Sequence, residues 1–173
     1  MLEFNELLNK PANQEFFILI MGPLFQIIFS YFFPKPYHIY LLAFNLLPIY
    51  PLDGSKLVFL IWNKLGTYYN SYKIVFYVSL IAIFVFLYYM RSLLFLVFGM
   101  FLLWKSFSMF RDLSLMFQIF LFERYKYTFN FKKATNIKTV KRMKRDYKHM
   151  VMSNSAYVSE KEVLEKMFSK RPF

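Results

Sequence analysis

Residues 45–56 read Asn-Leu-Leu-Pro-Ile-Tyr-Pro-Leu-Asp-Gly-Ser-Lys, inside an apolar stretch (about residues 38–62) long enough to cross a bilayer. A carboxylate in hydrocarbon is costly, roughly 2.5–3.5 kcal/mol on insertion scales. Pro48, Pro51 and Gly54 also interrupt the helix that would otherwise satisfy the backbone there. Lipid does not tolerate an open backbone beside an anion, whereas a water-filled or metal-filled cavity inside a protein does. Asp53 is therefore a functional-site candidate. Its bland reading is a protonated or paired carboxyl that stabilises a helix break, and the full twelve-residue run weighs against that.

The rest of the chain gives this stretch a membrane setting. Of 173 residues, 58% are hydrophobic and 23% aromatic, with 24 Phe and 14 Tyr beside only 18% charged residues. A soluble domain of this length carries far more charge. The net charge of +12 is uneven. Residues 123–173 hold fourteen Lys and Arg against five Asp and Glu, while residues 11–34 hold Glu15 alone. There is no cysteine, which excludes disulfides, thiolate nucleophiles and thiolate metal ligands. The acidic start, Met1-Leu2-Glu3-Phe4-Asn5-Glu6, does not resemble a cleavable signal peptide.

Four spans follow from hydropathy: residues 16–33, closed by Pro34 and Pro36; the broken stretch at about 38–62; 74–89; and 93 to about 110, after a tight turn at Arg91-Ser92. Residues 113–122 are apolar but too short to span, so they either extend the fourth helix or lie in the interface. The class is an all-α polytopic membrane protein, with residues 1–122 membrane-embedded and 123–173 a basic tail. Loop Lys and Arg set the orientation. With the tail in the cytosol, the inner side receives Lys10, Lys56, Lys64, Lys73 and the tail cations, and the outer side only Lys35 and Arg91. Asp53 then sits past the midplane, toward the cytosol, in a multi-pass protein of the bacterial cell membrane.

The tail carries two further patterns. Ile137, Val140, Met143, Tyr147 and Met150 recur at helical spacing beside a stripe of Lys138, Lys141, Arg142, Arg145 and Lys148. This predicts a basic amphipathic helix attracted to anionic membrane lipid. Tethering beside a membrane weighs against nucleic acid as its partner. Ser159-Glu160-Lys161-Glu162 predicts a capping box opening a short helix.

The Asn-x-x-Pro-x-x-Pro-Leu-Asp-Gly run within a span, together with Gly22-Pro23-Leu24 in the span before it, resembles the site-2 protease family of intramembrane zinc metalloproteases. The nearer likeness is to its stage IV sporulation protease branch. It covers residues 1 to about 65 well, and the tail less specifically. The resemblance implies that Asp53 is a zinc ligand and that Asn45 orients substrate. It also implies that Gly22 and Pro23 form the family's Gly-Pro signature. Pro48, Pro51 and Gly54 would open the helix so that water and an unwound peptide meet the metal. For Asn45 a helix–helix hydrogen bond is the competing reading; for Gly22-Pro23 it is a packing notch with a kink.

The family's other two zinc ligands and its general-base Glu come from a His-Glu-x-x-His helix, where two His at i and i+4 share a face. This chain has His38 and His149, neither with a second His four residues away. In the family's order that helix precedes a β-like segment matching residues 1–11, so the expectation is an upstream stretch that carries it. The implied function is then proteolysis of a membrane-tethered regulatory protein by zinc-activated water. Two alternatives remain: a non-catalytic pseudoprotease that binds a membrane client, and a small transporter or channel subunit using Asp53 as an intramembrane ion site.

Overall fold

The structure, a computed structural model, describes residues 12–32, 36–90, 92–127, 129, 131, 133–153 and 156–169. The β-like stretch at residues 1–11, together with Pro34, Lys35 and Arg91, lies outside them. The chain is mostly helical, and three of its helices are long and apolar enough to cross a membrane. It is a helical polytopic membrane protein.

Helix α1 (Ala12–Phe32) runs through Pro23 and packs on α2 and α3. Most of its apolar side chains, Phe17, Ile18 and Phe25 among them, are exposed, as suits contact with lipid. The stretch expected as the second span is divided between two shorter helices, neither among the three that are long enough to cross alone. Helix α2 (Pro36–Asn45) begins with a proline at its first position, where the missing N–H costs nothing. Helix α3 (Asp53–Leu65) follows after residues 46–52. Pro48 and Pro51 in that interval have no N–H to continue a helical ladder.

Helices α4 (Tyr68–Tyr89) and α5 (Leu93–Lys126) form a long antiparallel hairpin. Tyr68 stacks on Phe120 with ring centroids 4.0 Å apart, and Phe76 on Phe110 at 4.4 Å. Ile83 and Leu102 meet in one buried cluster, and Gly99 lies so close under Leu87 that a Cβ there would strike its side chain. Buried Ser71, Ser79 and Ser106 let the backbones approach, as small residues do in membrane helix pairs. Helix α4 starts six residues before hydropathy places it, because Thr67 caps it by accepting from the Asn70 N–H. Helix α5 is continuous through residues 113–122, where no Gly or Pro interrupts it. At 34 residues it is about 51 Å long, well beyond a hydrocarbon core of about 30 Å. Its last turns therefore stand outside the membrane and form a wall for the tail.

The tail corrects one expectation. Over residues 137–150 there is no amphipathic helix. Strand β1 (Lys133–Ile137) is followed by a 3-10 turn (Val140–Arg142) and strand β2 (Tyr147–Ser153). Strand β3 (Ala156–Ser159) and helix α6 (Glu160–Ser169) complete the tail. The sheet order is β1-β2-β3. β1 and β2 are parallel, with Ile137 opposite Val151, and β2 and β3 antiparallel, with Val151 opposite Val158. Burial in β2 alternates with period two: His149 and Val151 are inside, while Lys148, Met150 and Met152 are outside. Ile137, Met143, Val151 and Leu164 close over Tyr68, Phe117, Phe120 and Leu121. The wall from α5 gives Ile137 and Val151 of the strands a buried surface to pack on, which a helix lying on lipid would not use. The expected cap of α6 is present, with Ser159 Oγ accepting the Glu162 N–H at 3.4 Å.

Candidate functional site

Asn45 closes α2 and Asp53 opens α3, so the two polar residues flank the interruption at residues 46–52. The interruption is ordered by specific hydrogen bonds. Leu47 N–H donates to Phe44 O at 3.1 Å, Ile49 N–H to Leu47 O at 2.7 Å, and Leu52 N–H to Ile49 O at 2.7 Å. The Tyr50 N–H has no such local acceptor and reaches across to Ser79 Oγ on α4, at 3.0 Å. That hydroxyl in turn donates to Pro48 O at 3.3 Å. Ser79 is completely buried, so one hydroxyl satisfies two backbone groups where water is excluded. Ile49 is also fully buried and anchors the segment against Ile83 and Leu102. The Tyr50–Pro51 peptide bond is cis.

Gly54 shows why no larger residue fits. A Cβ there would land on the carbonyl oxygens of Leu46 and Leu47, which are backbone and cannot swing away. The first turn of α3 is thus pressed against the start of the interruption, just after α2. Ser55, buried beside it, donates its hydroxyl to Leu52 O at 2.7 Å.

Asp53 itself is accessible. Its side chain is 41% exposed, and its Oδ1 lies 3.0 Å from Lys56 Nζ, one turn on. A carboxylate in the first turn also complements the partial positive charge of the helix N-terminus. Asn45 and Pro48 are part-buried, and Pro51 is exposed. Gly22 lies apart from this group. A Cβ added to it would meet nothing within 4 Å, so among the described residues no side chain occupies the expected notch.

The zinc that the family likeness implies can be tested against these residues. A catalytic zinc takes three protein ligands and a water. Among the described residues no three His, Cys, Asp or Glu converge. Both histidines are engaged elsewhere: His38 lies on α2, its ring edge-on to Phe29 at 5.5 Å, and His149 is enclosed in the tail. Asp53 alone does not fit a zinc site.

A second polar cluster, which the sequence analysis missed, joins the tail to the helices. Arg124, near the end of α5, is buried. It donates to Tyr147 O at 3.0 Å, to Lys144 O at 2.8 Å and to Arg145 O, and it pairs with Glu160 Oε1 at 2.8 Å. His149 accepts the Lys144 N–H on Nε2 at 3.0 Å. In the neutral ring the proton therefore sits on Nδ1 and is donated to Glu160 Oε2 at 3.1 Å, so the Arg124 guanidinium nitrogen 3.2 Å from the same Nδ1 is a contact and not a hydrogen bond. Burial pushes the Glu160 carboxyl up, but the hydrogen bond from His149 and the Arg124 guanidinium outweigh it, holding the group below the usual glutamate range. Arg145, also buried, pairs with Glu15 near the start of α1. The cluster locks the tail to both α1 and α5. Its members are scattered from residue 15 to residue 160, so no spacing in the sequence groups them.

The chain matches no family model. It is 32% identical over 89 residues to stage IV sporulation protein FB of Bacillus subtilis (strain 168). The match takes in 42% of this chain and 31% of the relative, so the chain spans about a third of that protein's length.

Proposed function

We propose that this chain is part of an intramembrane metalloprotease of the site-2 protease type, acting on a membrane-tethered protein. In this reading Asp53 contributes one carboxylate to a zinc site and Asn45, across the interruption, orients the substrate. The single observation that carries it is the broken second span. A costly interruption in a membrane helix is held open by Ser79 and Gly54, with an accessible carboxylate at its edge. The likeness to stage IV sporulation protein FB supports the same reading. Because Asp53 does not make a zinc site by itself, the reading requires a His-Glu-x-x-His helix outside the described residues. The tail and the end of α3 face the cytosol, as the Lys and Arg distribution favours.

One observation favours a second reading. Asp53 meets Lys56 rather than another metal-ligating side chain among the described residues. A non-catalytic protein could hold a membrane client at the same interruption without cutting it. The intact mass and zinc content of the polypeptide purified from its native membrane separate the two. A mass above 21.1 kDa with bound zinc is expected. A polypeptide of 21.1 kDa without zinc would overturn the proteolytic reading in favour of the second.

A further inference from the structure

Tyr69 lies in the first turn of α4, at the end of a helix whose 22 residues, about 33 Å, match the thickness of the hydrocarbon core. Its ring is thus placed at interface depth, where tyrosine is favoured. Two ammonium groups from different elements converge on that ring. Lys73 Nζ, one turn further along α4, is 5.0 Å from the ring centroid. Lys141 Nζ, from the 3-10 turn of the tail, is 5.5 Å from it. The turn is held there by the backbone, since Tyr68 N–H donates to Met143 O at 3.1 Å. Among the described residues neither lysine pairs with a carboxylate. Lys138 and Arg142, on either side of Lys141, are exposed, as is Lys64 at the end of α3.

Two like charges drawn to one ring repel each other, and the ring's quadrupole only partly offsets that. A phosphate between them would turn the repulsion into two charge-assisted contacts. We propose that Lys73, Lys141 and Tyr69 form a binding site for the phosphate of an anionic membrane lipid headgroup. Position selects lipid over a soluble phosphate. The site lies at headgroup depth, and the tyrosine ring supplies an apolar floor for the glycerol and upper acyl carbons. Bound there, the lipid bridges α4 and the tail. This proposal is independent of any proteolytic role for Asp53.

The test is lipid retention by the detergent-solubilised 173-residue chain, followed by native mass spectrometry. The chain is titrated with phosphatidylglycerol, with zwitterionic phosphatidylcholine, and with inorganic phosphate. The expected result is a retained phosphatidylglycerol adduct that outcompetes phosphatidylcholine. Lys73→Gln with Lys141→Gln should weaken retention at least about tenfold. The double change to Arg should restore it, and Lys161→Gln with Lys166→Gln on α6 should leave it intact. Size-exclusion behaviour and circular dichroism confirm that each variant is folded. Equal retention of the two lipids, or retention indifferent to Lys73 and Lys141, would overturn the site. Lysine-dependent binding of inorganic phosphate without preference for the anionic lipid would overturn its assignment to a lipid.

Discussion

At the scale of single residues, the interruption in the second span depends on groups that differ in how visible they are in the sequence. Asp53, Pro48, Pro51 and Gly54 stand together in one run, and each has a cost in a membrane helix that makes it conspicuous. Ser79 does not. It lies 29 residues from Tyr50, in an apolar span where a serine ordinarily signals only close helix packing. Yet it accepts the one N–H of the interruption that has no local partner. Ser79→Ala should leave the Tyr50 N–H buried and unsatisfied, a cost of about 1–3 kcal/mol. A lowered unfolding midpoint in detergent checks this, and an unchanged midpoint would show that the interruption is held by packing alone. The crowding at Gly54 was likewise unreadable in advance. The sequence gives a glycine, but only the fold brings the Leu46 and Leu47 carbonyls against it.

Among elements, the helices were legible and the tail sheet was not. The spans follow from runs of apolar residues, and the Ser159 cap from its local pattern. Residues 137–150 carry helical spacing and no strand alternation, because the residues that β2 buries there include the polar His149. The outcome is decided by the protruding end of α5, whose buried Phe117, Phe120 and Leu121 give the strands a wall. Length alone does not announce that role, since residues 113–122 fit an interfacial segment equally well. The junction rests on Arg124 and Glu160, and its pH dependence has a definite sign. The Glu160 carboxyl is lowered by folding, so its contribution is present above the ordinary glutamate value of roughly 4.3 and lost as pH falls through the lowered folded value. Hydrogen exchange of β2 and α6 should accelerate across that acidic window, and Glu160→Gln should remove this component of the acid sensitivity. Arg124→Gln leaves the Glu160 carboxylate without its guanidinium and should destabilise the tail by about 3–5 kcal/mol at neutral pH. Exchange rates matching those of the unmodified chain would contradict the role given to the junction.

Across the whole molecule, the α4–α5 hairpin places the tail and the α3–α4 turn at one end and Ser92 at the other. The orientation we propose, with the tail end in the cytosol, rests on the Lys and Arg bias. Because the chain has no cysteine, single replacements report on this cleanly. Asn136→Cys, exposed on β1, should react with an impermeant reagent only after permeabilisation, and Ser92→Cys should react in intact cells. The reverse pattern would invert the orientation and remove the cytosolic leaflet from the lipid site. Asp53 opens α3 on the tail-facing side of the interruption, which in the proposed orientation is the cytosolic half. The central claim, that Asp53 is a metal ligand of an intramembrane protease, is tested most directly by joining this chain to an intact His-Glu-x-x-His helix. Bound zinc and cleavage of a membrane-tethered client are then measured together, with and without Asp53→Ala. Stoichiometric zinc and cleavage are expected with Asp53 present, with cleavage abolished and zinc weakened in Asp53→Ala and nearly so in Asp53→Asn. Full cleavage with undiminished zinc in Asp53→Ala would contradict it.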